Sequence, residues 1–159
     1  MDDMKVPEGF DLKLAMVDAI PVIEFSITMI IISLKFKSVL FNVGALFCII
    51  AGLGKVVWKL IMTLFKKNVM IFNKQFRYTM SLGFILMVIS LIINRENVHI
   101  LRVVLSYPSI VFFGLMLVGM IILMIMGIKL DKMDVRSNWM EQFMNIFMES
   151  MLLLGVIYG

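Results

Sequence analysis

Long apolar runs alternate with short charged segments along the chain. A bilayer core about 30 Å thick is crossed by about 20 helical residues, because each residue adds about 1.5 Å of rise. The runs therefore predict transmembrane helices at residues 12–34, 39–65, 78–94, 107–129 and 139–158. This pattern predicts an all-α, polytopic helical bundle that forms a single membrane domain.

Composition supports the same class of protein. Of the 159 residues, 62% are hydrophobic and only 16% are charged, which is more apolar side chain than a soluble domain of this length buries. Lipid is therefore expected to cover the remainder. The net charge of +4 does not indicate nucleic acid, because the bases flank apolar runs instead of forming a soluble basic surface.

The segment 66–77 mixes bases with apolar residues. That mixture is typical of a short segment lying in the headgroup region of a membrane. We expect Lys66, Lys67, Lys74 and Arg77 to bind lipid headgroups, which are anionic on the cytoplasmic side.

Positive residues are unequally divided between the two sides of the predicted bundle, and the side richer in Lys and Arg is expected to be cytoplasmic. That side holds nine bases, which are Lys5, Lys13, Lys66, Lys67, Lys74, Arg77, Lys129, Lys132 and Arg136. The other side holds four, which are Lys35, Lys37, Arg95 and Arg102. We therefore expect a plasma (inner) membrane protein with a cytoplasmic amino terminus and, after five crossings, an external carboxyl terminus.

The fifth segment differs from the others because it carries a polar stripe at three- and four-residue spacing, made of Asn138, Glu141, Gln142, Asn145 and Glu149. Such a helix either lies along the cytoplasmic interface or spans the membrane with its stripe turned inward. The stripe contains no Lys or Arg, which interfacial helices favour, and residues 151–157 are entirely apolar. Both features favour a spanning helix.

Ionisable side chains inside the predicted spans are the main candidates for function, because each costs roughly 2.5–3.5 kcal/mol on insertion scales. They are Asp18, Glu24, Lys55, Lys59 and Glu149. The short connection 35–38 makes the first two helices antiparallel neighbours. Asp18 and Lys59 each lie about 9 Å from the cytoplasmic ends of their helices, while Glu24 lies about 18 Å and Lys55 about 15 Å away. These depths predict the ion pairs Asp18–Lys59 and Glu24–Lys55.

The angular positions of the two acids complicate this pairing, because Asp18 and Glu24 are about 120° apart on a straight helix. Pro21 lies between them, and a proline kink would re-aim one carboxylate. Two interpretations remain open. The charges either form a polar, functional pocket around the kink, or they form structural pairs that fix the register of the helical hairpin.

Glu149 bears on that choice. If it faces the same interior, three acids meet two lysines, and one acid is left to hold a proton or a cation. We therefore interpret Glu24, Lys55, Glu149, Asp18 and Lys59 as candidate proton- or solute-binding residues.

Other residue types indicate packing instead of chemistry. Gly44, Cys48 and Gly52 recur every four residues and predict a small-residue face for a neighbouring helix. The chain has one cysteine and one histidine, so an intrachain disulfide and a clustered Cys/His zinc site are excluded by counting. Neither a metal nor a cofactor is predicted.

Three functional hypotheses follow. The first is a small carrier, or carrier subunit, for a proton or small cationic solute. The second is a non-catalytic accessory subunit that assembles with another membrane protein or with copies of itself. The third is a lipid-headgroup-modifying enzyme, although the sequence has no recognisable catalytic motif and therefore favours a non-enzymatic role.

Overall fold

The computed structural model describes residues 11–66, 69–94, 104–130 and 134–159. Within those residues it contains five long helices: α1 (Leu12–Phe36), α2 (Val39–Phe65), α3 (Met70–Ile93), α4 (Ser109–Lys129) and α5 (Val135–Ile157). Each is long and apolar enough to cross a membrane. The predicted all-α membrane helical bundle is thus confirmed as a fold class.

Capping side chains mark the start of three helices. Asp11, Ser38 and Asp134 precede α1, α2 and α5, and each accepts a hydrogen bond from a backbone N–H in the first turn. Such caps satisfy donors that have no partner within the helix. The turn between α1 and α2 is completed by Lys37, which has a left-handed backbone with φ of 49°. The two helices therefore form the tight hairpin that the sequence predicts.

Helix α3 begins at Met70, eight residues before the predicted start at 78. The added turns pack on α2: a Cβ atom on Gly54 would lie 3.0 Å from the Gln75 side chain. Contact with α2 gives residues 70–77 a packed face, which explains why they continue the helix instead of forming a separate interfacial segment. Helix α5 likewise begins four residues before its predicted start at 139.

Of the four predicted headgroup-binding bases, Lys67 lies outside the described residues. Lys66 is the C-cap residue directly after α2, while Lys74 and Arg77 are exposed on the first turns of α3. Their binding of lipid headgroups stays a prediction.

The helices are arranged as an open row in the order α3, α2, α1, α5, α4. Helix α1 is central and contacts both α2 and α5, whereas α3 contacts only α2 and α4 contacts only α5 among these five helices. The row curves enough for α1, α2, α3 and α5 to line one cavity.

Helices α1 and α5 run side by side in the same direction. At one end, Leu14 of α1 belongs to a buried apolar cluster against which Trp139 of α5 packs. At the other end, the Lys35 ammonium donates a 3.0 Å hydrogen bond to the carbonyl oxygen of Val156. Helix α5 therefore follows α1 along its length, which agrees with the spanning interpretation of the fifth segment.

The predicted small-residue face divides between two neighbours. A Cβ atom on Gly44 would lie 2.7 Å from the Gly83 carbonyl oxygen of α3, and one on Gly83 would lie 2.6 Å from that of Gly44. Cys48 is also packed on α3, whereas a Cβ atom on Gly52 would lie 2.9 Å from Val22 of α1. Small residues therefore allow α2 to approach both α3 and α1 closely.

Candidate functional site

The ionisable residues of α1 and α2 form one of the two expected ion pairs. The Lys59 ammonium nitrogen Nζ lies 2.5 Å from Asp18 Oδ1, and both side chains are buried. The pair joins the two antiparallel helices at the depth that the sequence predicts. The second carboxylate oxygen, Asp18 Oδ2, is buried without a hydrogen-bond partner among the described residues.

The predicted Glu24–Lys55 pair is wrong. Glu24 turns toward α5, where its Oε1 atom accepts a 2.8 Å hydrogen bond from the Ser150 hydroxyl. Helix α1 is continuous through Pro21, so Asp18 and Glu24 keep the wide angular separation of a regular helix. Each acid consequently faces a different neighbour, and the proline does not bring the Glu24 carboxylate to Lys55.

Lys55 instead faces α3. Its Nζ atom lies 5.2 Å from the centre of the Phe76 ring, a cation–π distance. Within the described parts of the chain, no carboxylate lies within ion-pair distance of this ammonium. Lys55 therefore presents a positive charge without a direct acidic partner there.

A cavity of about 120 Å³ with both polar and apolar lining lies between α1, α2, α3 and α5. Its polar lining consists of Asp18, Lys55, Gln142, Asn145 and Glu149. Three residues of the α5 stripe, Gln142, Asn145 and Glu149, therefore face the interior of the bundle, as expected for a spanning helix. Drug-sized pockets are about 300–1,000 Å³, whereas a water molecule takes about 30 Å³ in the liquid, so this cavity suits an ion with a few waters.

Several buried oxygen atoms at or beside this cavity have no hydrogen-bond partner among the described residues. Asp18 Oδ2, Gln142 Oε1 and Glu149 Oε2 belong to residues that line it, and Glu24 Oε2 belongs to a neighbour. All four atoms accept hydrogen bonds and none donates when the acids are ionised. The geometry therefore calls for a group that supplies positive charge or hydrogen-bond donors.

The charges around the cavity are unequal. Three acids (Asp18, Glu24, Glu149) accompany two lysines (Lys55, Lys59), and Glu141 of α5 also acts on Lys59, so acids outnumber lysines. Glu24 and Glu149 lie close enough for their charges to repel each other. A proton or a cation would reduce this excess of negative charge.

Three contributors to the site were not anticipated as partners of the charged residues. Ser150 and Phe76 contact Glu24 and Lys55, and Gln142 adds an uncharged oxygen. Ser150 directly follows Glu149 in the chain, so its place beside the acids could be predicted from the sequence. Phe76 could not be predicted in this way, because it falls in a segment whose pattern predicts a location in the headgroup region.

Across the described residues, no group of three or more His, Cys, Asp and Glu side chains is placed to hold a metal ion. Comparisons with protein-family models, with curated proteins and with solved structures find no match to this chain. The arrangement of side chains around the cavity is therefore the basis for assigning a function.

Proposed function

We propose that the protein is a small membrane carrier, or carrier subunit, that binds a proton or a small cation at Glu149. One observation carries this proposal: Glu149 lines the polar cavity, and its Oε2 atom is buried without a partner among the described residues. An isolated carboxylate in a low-dielectric interior is strongly disfavoured, so it takes up a proton or another cation. Alternate occupation and release of such a group is the basis of coupled transport.

The surrounding residues have distinct parts in this proposal. Asp18 and Lys59 neutralise each other and fix α1 against α2. Glu24 remains beside Glu149 and raises the local negative charge, while Lys55 partly offsets it from the α2 side. Because Asp18 is paired with Lys59, Glu149 is the cavity-lining acid without an ion-pair partner among the described residues, which supports a monovalent cation over a neutral or anionic ligand.

The orientation belongs to the same proposal. The excess of Lys and Arg supports an orientation in which the amino terminus, and the end of the bundle that contains Asp18 and Lys59, face the cytoplasm. Single cysteines introduced between α2 and α3 would be protected from impermeant reagents added to intact cells. Labelling of that connection from outside would reverse the orientation.

Transport is tested by reconstituting the purified protein in liposomes that contain a pH-sensitive dye, and imposing ion gradients across them. The wild type should show proton or cation flux, and Glu149→Gln should reduce it to the level of empty liposomes. Glu141→Gln is the matched control, because it makes the same change on α5 at a residue that does not line the cavity. Wild-type flux in Glu149→Gln would eliminate the carrier proposal.

A specific observation favours accessory assembly as a second candidate function. In the open row, α3 and α4 each contact only one of the other four helices, and most large apolar side chains of α4 are exposed. These faces suit lipid, another membrane protein or a second copy of the chain. Stable co-purification with a membrane partner, or a detergent-solubilised oligomer, would support assembly. A monodisperse single chain without partners would count against it.

A further inference from the structure

The cavity brings together uncharged and charged oxygen atoms from two parallel helices. Gln142 is 4% exposed, lines the cavity, and its Oε1 atom has no hydrogen-bond partner among the described residues. Asp18 Oδ2 on α1 and Glu149 Oε2 on α5 are likewise buried and have no hydrogen-bond partner among the described residues. The amide matters most, because an amide oxygen cannot be satisfied by taking up a proton near neutral pH as a carboxylate can.

Carboxylate and amide oxygens are hard ligands, and hard cations prefer them. Water is the simplest group that could satisfy such oxygens, but water leaves the net negative charge uncompensated. A single proton on Glu149 compensates one charge and gives that carboxyl an O–H donor, but one donor cannot satisfy the Gln142 and Asp18 oxygens together. A cation with a few retained waters satisfies both requirements in a cavity of about 120 Å³.

The charge balance selects the valence of that cation. Of the three residues that would supply oxygens, Asp18 is paired with Lys59 and Gln142 is uncharged, so Glu149 supplies the one negative charge that a monovalent cation cancels. A divalent ion would leave a positive excess in a buried setting. It would also lack the three or more clustered acidic, His or Cys ligands that the described residues nowhere provide.

We propose that the cavity binds one monovalent alkali cation through Asp18 Oδ2, Gln142 Oε1 and Glu149 Oε2, with water completing its coordination. This assignment rests on the proposed carrier function and narrows its substrate class from a proton or small cation to an alkali cation. Lys55, on the opposite wall beside Phe76, repels the bound cation and keeps its binding reversible.

The test is thermal unfolding of the full-length protein in detergent, with NaCl or KCl replacing choline chloride at constant ionic strength. Tryptophan fluorescence gives the readout, because Trp139 lies one helical turn before Gln142 on α5. A ligand that binds only the folded state raises the unfolding temperature with its concentration in a saturable way. The wild type should show that rise with Na⁺ or K⁺, and it should exceed any effect of Mg²⁺ at equal ionic strength.

Variants make the result specific to the site. Glu149→Gln and Gln142→Leu should lose the dependence on alkali cation, whereas Glu141→Gln should keep it. Unfolding in choline chloride alone reports whether each variant folds. Lys55→Met should lower the half-saturating cation concentration by at least roughly tenfold, the effect of removing a like charge from within about 10 Å at an effective dielectric constant of about 20.

The possible outcomes separate the two proposals. Absence of stabilisation by both Na⁺ and K⁺, or equal stabilisation of the wild type and Glu149→Gln, would overturn the alkali-cation site. If the liposomes nevertheless showed proton flux dependent on Glu149, the carrier function would stand with a proton as its ligand. Saturable cation binding without any flux would instead support the site and overturn its use in transport.

Discussion

The Glu24 carboxylate accepts a 2.8 Å hydrogen bond from the Ser150 hydroxyl, which connects the first and last helices of the bundle. This contact turns Glu24 away from Lys55 and brings it beside Glu149. Two acids from the parallel helices α1 and α5 therefore lie together next to the cavity, whereas both lysines belong to α2. The contact between α1 and α5 therefore determines where negative charge accumulates.

Removing the Ser150 hydroxyl should destabilise the bundle. In Ser150→Ala, Glu24 loses its described hydrogen-bond donor, and we expect the free energy of unfolding to fall by about 1 kcal/mol, a typical value for interhelical hydrogen bonds in membranes. Ser26→Ala is the matched control, because among the described residues the Ser26 hydroxyl donates its hydrogen bond within its own helix, to the Val22 carbonyl oxygen. Equal stabilities for the two variants, measured by denaturation in mixed micelles, would show that the Glu24–Ser150 contact contributes nothing.

The Asp18–Lys59 pair should behave as a buried, mutually dependent unit. Lys59→Met leaves a buried carboxylate unpaired, and Asp18→Leu leaves a buried ammonium without its carboxylate, so each should lower the free energy of unfolding by about 3–5 kcal/mol. The double variant should recover much of that loss, because two apolar side chains need no charge compensation. These measurements belong in choline chloride, where an alkali ligand does not contribute. Strict additivity of the two single effects would contradict the pairing.

The close approach of α2 and α3 predicts a strong position effect for glycine substitution. Gly83→Ala places a methyl group 2.6 Å from the Gly44 carbonyl oxygen, and the resulting overpacking should cost about 1–3 kcal/mol. In Gly114→Ala on α4 the added methyl group meets no atom of the described residues within 4 Å, so the change should be neutral or slightly stabilising, since alanine is the better helix former. Similar unfolding temperatures for the two variants would argue against the α2–α3 interface.

The Asp134 cap predicts a pH-dependent effect at the start of α5. Hydrogen bonds from the Ser137 hydroxyl and backbone N–H hold the pKa of Asp134 below its ordinary value. A lowered pKa in the folded state stabilises the helix start above the unfolded pKa of about 3.9, and that stabilisation disappears as pH falls through the folded value. Asp134→Ala should therefore speed amide exchange in the first turn of α5 near pH 7 and differ less from the wild type in acid.

Asp134→Asn is the matched control for that experiment. Asparagine keeps a capping oxygen but does not titrate as a carboxylate does, so its protection of the first turn should change little with pH. A difference between the wild type and Asp134→Ala that stayed constant from pH 7 into acid would contradict a role for the ionised carboxylate.

Much of this fold is predictable from the sequence because hydrocarbon imposes simple rules on helix length and polarity. The α1–α2 hairpin, the Asp18–Lys59 contact and the inward turn of the α5 stripe all follow from run lengths, depth and helical periodicity. The start of α3 does not, because residues 70–77 are as polar as an interfacial segment and become helical through contact with α2.

The partners of the deep charges were less predictable. Depth along the helices alone predicts an ion pair between Glu24 and Lys55, but pairing also requires that both side chains lie in the same helix interface. The angular position of Glu24 on α1 turns it toward Ser150 of α5, and Pro21 does not re-aim it toward Lys55. The role of Gly83 is hard to predict for a similar reason. A single glycine in α3 indicates a close contact between helices only when Gly44 is known to lie opposite to it.

The central claim is that the polar stripe of α5 faces a hydrated cavity inside the bundle. The most direct measurement compares thiol labelling of Asn145→Cys and Phe143→Cys, both in a Cys48→Ala background, by a small charged thiosulfonate reagent in membranes. Asn145 lines the cavity, whereas Phe143, two residues away, is 62% exposed on the outside of the bundle. Because the reaction requires a hydrated thiolate, we predict rapid labelling at 145 and little at 143, with protection at 145 by Na⁺ or K⁺. Equal labelling at the two positions, or faster labelling at 143, would contradict the account.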